Sequence, residues 1–325
     1  MKFSSQCVLF GVCAGLGPVT AAQTAAQSYP QRPIRLVVPS APGGPLDIVA
    51  RSVGPGLSDV LGQQVVIDNR AGAGGLIGTE TVAKSPPDGY TLLLGVSGLL
   101  FIVPKINPSA TYTFSDFAPV SVAATMPMLL LVSPALAAKS VPELIVLART
   151  RPGELNYASG GIGTGIHVAF ELFNLVAGVK ITHVPYKGAT PAMTGIMGGE
   201  ADMMFNGLPP ALPFVKQGRL RALAVGDKKR TQFLPGVPTV GESGLAFEYT
   251  SWYAIVAPRG TPPPVIARLH SAIVQTLAKA DMKERFTSQG IEAIGSTPAE
   301  FASFLREENV RLDKVIDATG LRAKK

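Results

Sequence analysis

Residues 34–47 read IRLVVPSAPGGPLD, and this stretch decides the fold. Its first six residues form a run of the kind found in buried strands, and the Pro and Gly residues that follow end the strand. Pro45 stands at the expected first position of a helix, and residues 46–57 show helical apolar spacing. The stretch therefore predicts a strand, a tight loop and a helix in direct succession.

The same unit recurs along the first third of the chain. Residues 64–68 and 91–96 have strand character, and residues 76–84 between them have helix character. Strands that alternate with helices in this way predict an α/β fold with a doubly wound, mostly parallel sheet.

A long apolar stretch, residues 120–132, is interpreted as a crossing to a second unit of the same kind. Strands are expected there at 155–158, 181–184, 201–205 and 220–225, and helices at 141–149, 166–176 and 191–197. A Pro- and Gly-rich connector, residues 226–250, then leads to a strand at 252–257 and to two amphipathic helices that we expect to fold back on the first unit.

The pattern thus predicts two lobes joined by two crossings, because about 300 residues exceed what one core usually covers. Residues 27–122 and 251–325 form the first lobe in this interpretation. Residues 123–250 form the second lobe together with the returning connector.

Residues 1–26 have the pattern of a secretory signal peptide. Lys2 supplies the positive charge, residues 7–19 form an apolar stretch, and small residues follow. The apolar stretch is shorter than the ~20 residues of a membrane helix, which favours cleavage over an uncleaved anchor. We expect cleavage between Ala21 and Ala26 and a mature protein in the periplasm.

The composition narrows the classes of function. Cys7 and Cys13 are the two cysteines of the chain and both lie in the predicted signal, so the mature chain has no thiol for catalysis, a disulfide or a zinc site. The formal net charge is +7, but the basic residues are dispersed and aromatic residues make up 7%, unlike a nucleic-acid-binding protein. Dispersed positive charge suits an anionic solute and equally suits plain solubility.

The loop at Gly43 and Gly44 is the first candidate binding feature. It leads into a helix whose first N–H groups face the carboxyl edge of the predicted sheet, and such groups attract an anion without any arginine. Asp47, in the first turn, either lies beside the ligand or caps its own helix. The sequence leaves both alternatives open.

Two further Gly-rich loops, residues 72–78 and 160–165, follow other predicted strands. Neither has the GxGxxG spacing of a dinucleotide site, and no Gly-Lys-Ser/Thr phosphate loop occurs. The second loop, with Thr164 and Gly165, lies in the second unit and is expected to oppose the first loop across a cleft. A tight strand-to-helix turn explains the same glycines.

We find no catalytic or metal-binding constellation in the sequence. The three histidines have no metal-ligand spacing, and neither an HExxH motif nor a GxSxG nucleophile elbow occurs. His167 opens a helix and is either a ligand contact or a packed histidine. We therefore predict no catalytic residue, no metal and no cofactor.

Polar residues at predicted strand ends complete the candidate site, because loops at the carboxyl edge line a cleft. Ser97 and Asn206 each lie at or directly after a strand, and Tyr186 ends another with Lys187 beside it. The predicted ligand-binding residues are Gly43, Gly44, Asp47, Ser97, Thr164, Gly165, His167, Tyr186 and Asn206.

A series of ordered motifs extends over nearly the whole mature chain. They read YPQRPI at 29–34, NRAGAGG at 69–75, PDGYTL at 87–92, DFAPVS at 116–121, PYKG at 185–188, VPT at 237–239, ESG at 242–244 and GTP at 260–262. Together they resemble the tripartite tricarboxylate transporter receptors, also called Bug-type solute receptors.

The resemblance implies a type II periplasmic binding protein fold that grips a small carboxylate largely through backbone amides of two opposed loops. It carries over Gly43, Gly44 and Asp47 from one loop and Thr164 and His167 from the other. It also implies membrane transporter subunits as partners, and we expect a monomer that binds no nucleic acid.

The chain departs from the family pattern at a few positions. Ser40 stands where the family usually has an aromatic residue, and Thr164 replaces a common Ser. Ala254 and Arg259 replace the usual Gly and Ala near the second crossing. Loss of the aromatic side chain is expected to widen or wet the pocket.

Two other functions fit the same residues. A ligand sensor for a membrane signalling kinase uses the same closed-lobe signal as a transport receptor. An exported hydrolase or lyase would use His167 with Asp47 or Ser97. The sequence does not distinguish transport from sensing.

Overall fold

The computed structural model describes residues 29–322, so the predicted signal peptide lies outside the described residues. The strands in this range are β1 (Ile34–Val38), β2 (Val65–Asn69), β3 (Thr91–Gly95), β4 (Phe117–Val132), β5 (Asn156–Ser159), β6 (Thr182–Pro185), β7 (Met203–Gly207), β8 (Arg221–Val225), β9 (Thr250–Pro258) and β10 (Glu292–Ala293). The α-helices are α1 (Pro45–Leu61), α2 (Leu76–Ala83), α3 (Val103–Ile106), α4 (Val141–Thr150), α5 (Gly165–Ala177), α6 (Ala189–Gly198), α7 (Leu208–Lys216), α8 (Pro263–Ala278), α9 (Ala280–Gln289) and α10 (Pro298–Thr319).

The strands form one continuous sheet in the order β2-β1-β3-β9-β4-β7-β5-β6, and β8 and β10 both pair with β4. β1 is parallel to β2 and β3, and β5 is parallel to β6 and β7. β4 and β9 run antiparallel to their partners. The carboxyl ends of each parallel set meet at one edge, where open sheets of this kind carry ligand-binding loops. The predicted α/β class is confirmed.

β4 joins the two halves of this sheet. Its residues 117–127 pair with β9, whereas residues 128–132 pair with β7 and β8. We call β1, β2, β3, β9, β10 and the start of β4 the first half, and β5 to β8 with the end of β4 the second half. The return crossing runs from β8 to β9, where the Gly226 N–H donates to the Met128 carbonyl at 2.7 Å. The apolar run predicted as a crossing lies within β4.

Helices cover both faces of the first half because apolar side chains alternate along its strands. In β1, Leu36 and Val38 belong to a cluster with α1, α8 and α9, whereas Val37 belongs to a second cluster. This second cluster continues through the π-helical turn Gly98–Ile102 into the second half. The three β1 side chains are fully buried, which stabilises each by roughly 1.5–3 kcal/mol relative to exposure. The period of two therefore makes this half doubly wound.

The C-terminal helices divide between the two halves. α8 packs on α1 as expected, whereas α10 packs on β4 and on α5 of the second half. Phe301 meets Trp252 edge to face at a centroid distance of 6.1 Å, and Asp313 pairs with Lys105 at 3.0 Å. α10 therefore bridges both halves, because its apolar stripe is long enough to cover the crossing, whereas the sequence led us to expect that the C-terminal helices fold back on the first unit.

Two local differences from the sequence-based expectations matter. α6 begins at Ala189 and not at residue 191, because Gly188 caps it with a φ of 127°. The helix α9 was not foreseen, since it is strongly polar and buries only Met282 and Phe286. No helix in residues 29–322 combines the length and the apolar character that a membrane span requires.

Candidate functional site

A cavity of about 560 Å³ lies between the two halves at the carboxyl ends of the parallel strands, and we call it the cleft cavity. Its walls come from loops within residues 39–46, 71–75 and 96–99 of the first half and 160–166 and 185–189 of the second. Among the described residues that line it, Lys187 is the only charged side chain. A largely apolar cavity of this volume is typical of small-molecule sites.

Four helices begin at the wall of this cavity. Gly44 and Pro45 open α1, Gly75 opens α2, Thr164 opens α5 and Gly188 opens α6, and these residues line the cavity. The first N–H groups of a helix lack partners within the helix, and the macrodipole places about half a positive charge there. The cavity therefore favours an anion, although its walls carry almost no formal charge.

Asp47 shapes the loop that opens α1. Its carboxylate accepts the Gly43 N–H and the Arg51 Nε, each at 2.9 Å. Arg51 also donates to Asn69 at 3.1 Å, and Asn69 donates to the Ser40 carbonyl at 3.2 Å. Burial alone would raise the pKa of Asp47, but its hydrogen-bond donors, led by Arg51, outweigh burial and hold the pKa below its ordinary value. Neither Asp47 nor Gly43 lines the cavity, so both fix the loop that presents Ser40.

Ser97 lines the cavity just after β3 and contacts a tyrosine that the sequence did not reveal. Its Oγ lies 3.2 Å from the Tyr249 Oη. A Cβ built on Gly165 would lie 3.0 Å from the same phenol oxygen, so Tyr249 sits between the first and second halves. Burial raises the pKa of Tyr249 to about 12, so the phenol is neutral and keeps its proton for hydrogen bonding. Tyr249 therefore supports Ser97 and Gly165 from behind the cavity wall.

Buried side chains hold the Gly-rich loop 160–165 of the second half. The Ser159 Oγ accepts the Gly161 N–H at 3.0 Å and lies 2.6 Å from the His183 Nε2. Thr164 caps α5 and donates to the Gly161 carbonyl at 2.8 Å. Ser159 is fully buried and does not line the cavity, so its contact with His183 positions the loop and does not activate a nucleophile.

His167 lies behind this loop and does not line the cavity. Its Nδ1 accepts the Gly163 N–H at 3.1 Å, and its ring stacks on His183 with centroids 4.2 Å apart. Burial, and then the neighbouring His183, lowers the pKa of His167 to about 3, and burial lowers that of His183 to about 4. Both rings are neutral near pH 7. Within the described residues no hydrogen bond joins His167 to Asp47 or Ser97, so the geometry gives no support to a hydrolase or lyase.

Of the last two predicted ligand-binding residues, Tyr186 lies at the cavity wall and Asn206 lies in the protein interior. Tyr186 lines the cavity, and its hydroxyl donates to Glu200 at 3.1 Å. Asn206 is fully buried, where its carbonyl oxygen accepts the Gly207 N–H at 2.9 Å and its amide contacts the Met193 sulfur. Asn206 therefore supports the end of β7 and does not reach the cavity.

The two halves touch each other around the cavity. The Thr190 hydroxyl donates to the Pro42 carbonyl at 3.2 Å across the cleft. Gly74, with a φ of 68°, approaches Ile162 so closely that a Cβ would lie 2.5 Å from its carbonyl oxygen. This arrangement encloses the space between the opposed loops.

The structure thus brings five of the nine predicted ligand residues to the cavity wall and places four behind it. The wall contains Gly44, Ser97, Thr164, Gly165 and Tyr186. Sequence reasoning missed the start of α6 at Gly188 and Ala189 as an anion-attracting terminus. The available signal was Gly188 at the end of the PYKG motif, followed by Ala189, since glycine is a common residue directly before a helix start. No sequence signal identified Tyr249.

The fold and the enclosed cleft define a type II periplasmic binding protein, a class of two-lobed solute receptors. Residues 49–321 match the model of the tripartite tricarboxylate transporter family receptor, and the chain belongs to this family.

Individual relatives agree with this assignment. The protein BugT of Bordetella pertussis is 39% identical over 307 residues, which cover 94% of each chain. The Rhodopseudomonas palustris protein Rpa4515, solved with adipate, has a TM-score of 0.87 at 36% identity, over 91% of this chain and 100% of that one. MatC from the same species, solved with bound malate, has a TM-score of 0.85 at 32% identity, over 89% and 100% of the two chains.

Proposed function

We propose that this receptor captures a small carboxylate in the cleft cavity and delivers it to the membrane subunits of a tripartite tricarboxylate-type transporter. The observation that carries the proposal is the convergence of four helix N-termini on one cavity with almost uncharged walls. The adipate and malate in the structures of two relatives support a carboxylate ligand. The signal pattern of residues 1–26 supports a periplasmic location.

The proposal keeps the two lobes predicted from the sequence, residues 27–122 with 251–325 and residues 123–250, although α10 also packs on α5 of the second half. The lobes close on the ligand by bending at the two crossings. The ligand shifts the population toward the closed form, which the transporter then recognises. The protein binds its ligand without converting it, because His167, Ser97 and Asp47 are each committed to other partners.

A thermal-shift screen of the mature chain against mono-, di- and tricarboxylates tests the proposal, with calorimetry on each hit. A ligand at 100 times its Kd should stabilise the folded state by about 2.7 kcal/mol through mass action. The ligand should be recovered chemically unchanged. Absence of any stabilisation across a broad acid panel would overturn the proposal.

Gly44→Val tests the position of the site. A Cβ at Gly44 would meet the Ala41 carbonyl at 3.7 Å and Ala189 at 3.8 Å, so the further methyl groups of valine enter the space beside the helix termini. We expect at least a tenfold loss of affinity with little change in melting temperature. Gly236→Val is the matched control, since a Cβ there meets nothing within 4 Å. Equal affinities of the two variants would remove the first loop from the site.

A further inference from the structure

We infer that Tyr249 is a positioning residue that holds the two halves together around a bound ligand and thereby sets how long the ligand stays in the cleft cavity. This inference rests on the proposed function and adds to it a residue that does not line the cavity. The backbone position of Tyr249, the contacts of its hydroxyl and the support of its ring carry it.

The Tyr249 backbone belongs to the return crossing. Its N–H donates to the Gly226 carbonyl at 2.9 Å, and the Gly226 N–H donates to the Met128 carbonyl at 2.7 Å. Met128 is the first residue of β4 that pairs with β7 of the second half. β9 begins at the next residue, Thr250, and continues into the first half. Tyr249 is therefore tied to the second half at the point where the chain returns to the first.

The Tyr249 side chain reaches a seam where the backbones of the two halves meet. Its hydroxyl lies 3.2 Å from the Ser97 Oγ of the first half, and this contact is buried. A Cβ built on Gly98 would lie 2.5 Å from the Gly163 carbonyl oxygen and 2.9 Å from the Gly165 nitrogen in the second half. The hydrogen bond between Ser97 and Tyr249 thus joins the halves beside this contact. Because Ser97 and Gly165 line the cavity, a movement at the seam changes the wall that a ligand contacts.

An ion pair of α10 supports the Tyr249 ring. The Arg311 guanidinium lies 6.0 Å from the ring centroid, a distance at which a cation is attracted to the ring face. Arg311 donates two hydrogen bonds of 2.8 Å to Glu308, which also accepts the Trp252 indole N–H at 3.2 Å. The Glu308 side chain is 6% exposed, and an unpaired buried carboxylate is strongly unfavourable. Arg311 is therefore held over the ring.

The contact between Ser97 and Tyr249 has to break when the halves separate. Burial raises the pKa of Tyr249 to about 12, so the phenol keeps its proton and the hydrogen bond persists at neutral pH. A ligand enters while the halves are apart, and at that stage the contact is not yet made. We therefore expect Tyr249 to act on the dissociation rate of the complex and not on its association rate.

Tyr249→Phe in the mature chain tests the inference, with isotope-labelled adipate or malate, or a tighter-binding acid from the thermal-shift screen, as the probe. Calorimetry gives the Kd, and a chase with excess unlabelled acid gives the dissociation rate. We expect dissociation at least tenfold faster and an association rate, obtained from these two values, within threefold. Dissociation within twofold of the unchanged protein would overturn the inference while the receptor function stands. If no acid binds the unchanged protein, the receptor function and the inference fall together.

Tyr29→Phe is the matched control. Tyr29 is also buried, and its hydroxyl donates to the Gly89 carbonyl at 2.6 Å within the first half, away from the cavity wall. Each variant loses one buried hydroxyl with its hydrogen bond, so the two melting temperatures should fall by similar amounts. Tyr249→Phe alone should speed dissociation. Equal dissociation rates in the two variants would show that lost stability, and not the contact across the seam, causes the effect.

Ser97→Ala, alone and combined with Tyr249→Phe, tests whether the two residues act as a pair. The single variant removes the other partner of the same hydrogen bond and should also speed dissociation. The double variant should release the acid no more than twofold faster than the faster single variant, because residues that share one contact are not additive. If the two effects multiply, Tyr249 does not act through Ser97 and the inference is wrong.

Discussion

Two cavities of nearly equal volume lie on opposite faces of the sheet where the halves join. The cleft cavity has about 560 Å³, and the second, which we call the back cavity, has about 570 Å³. Pro127 and Thr250 line the back cavity, whereas the next residues, Met128 and Ser251, line the cleft cavity. Successive side chains of a strand point to opposite faces, so β4 and β9 each contribute residues to both cavities.

The chemistry of the two cavities is opposite. The back cavity is lined by seven charged side chains among the described residues: Asp227, Lys228, Lys229, Arg230, Glu248, Lys283 and Glu292. Several of these charges are paired, as Lys228 is with Glu248 at 3.2 Å. Among its described lining residues, the cleft cavity has one charged side chain, and the N-termini of four helices lie at its wall. The two cavities therefore differ in the charge and the helix termini at their walls and not in volume.

Of the variants proposed for the two cavities, we expect the largest change in ligand affinity from Gly74→Ala at the wall of the cleft cavity. The new Cβ would lie 2.5 Å from the Ile162 carbonyl oxygen in the other half, so the halves cannot approach as closely. We expect at least a 30-fold loss of ligand affinity, seen by calorimetry as a higher Kd.

Gly153→Ala is the matched control for this variant. Gly153 has a φ of 79°, near the 68° of Gly74, but a Cβ there meets nothing within 4 Å. Both variants should lose a similar ~1 kcal/mol of stability from backbone strain at positive φ. Equal ligand affinities in the two variants would show that the contact across the cleft is not needed for binding.

Asp227→Asn in the back cavity should change stability and its pH dependence. Burial, followed by Glu248 and Glu292, raises the pKa of Asp227 to about 7 from 3.8. The ionised form is therefore disfavoured in the folded state. This contribution to stability is complete below about pH 4, decreases as the pH rises to about 7, and stays reduced above that value.

The variant should melt several degrees higher than the unchanged protein at pH 8, since asparagine carries no charge and can still accept from Thr250. At pH 4 the two should agree within about 1 °C. Glu242→Gln serves as the control, because Arg230 lowers the pKa of this exposed carboxyl. Replacing the Glu242 carboxylate should therefore not raise the melting temperature at pH 8. If the difference in melting temperature between the Asp227→Asn variant and the unchanged protein is the same from pH 4 to pH 8, Asp227 is not the source of the pH dependence.

The smallest effect is expected from Lys187→Gln in the cleft cavity. Lys187 is exposed at the wall, so its attraction for an anion is screened by water and salt. We expect a two- to fivefold loss of affinity at low ionic strength that nearly disappears at 0.5 M salt. Lys229→Gln removes the corresponding charge from the back cavity and should leave affinity unchanged. A loss above 50-fold at Lys187 would mean that this ammonium, and not the helix termini, holds the ligand.

Much of the fold could be predicted because its signals are local. The strand, loop and helix at residues 34–47 have the expected order, with the helix starting at Pro45. The apolar run within β4 was recognisable as a crossing, since a strand buried on both faces reads as a nearly continuous apolar run. α9 escaped prediction because its polar composition conceals two buried anchors, Met282 and Phe286.

The site was predicted in part because loops after strands follow from the sequence, whereas the direction of each side chain does not. Ser97 and Tyr186 reach the wall as expected. Asn206 and His167 also lie at an edge of the second half, but they turn inward to Gly207 and Gly163. A sequence cannot distinguish a polar group that faces a ligand from one that satisfies a buried backbone N–H.

The sequence by itself determined the alternation of strands and helices, the Gly-rich loops at strand ends and the absence of a catalytic motif, because each depends on spacing between near neighbours. Tertiary structure alone decided that four helix termini meet at one cavity and that Gly74 touches Ile162. It also placed Tyr249 between Ser97 and Gly165. These contacts join residues that are far apart in the chain, and only the packing of the two halves brings them together.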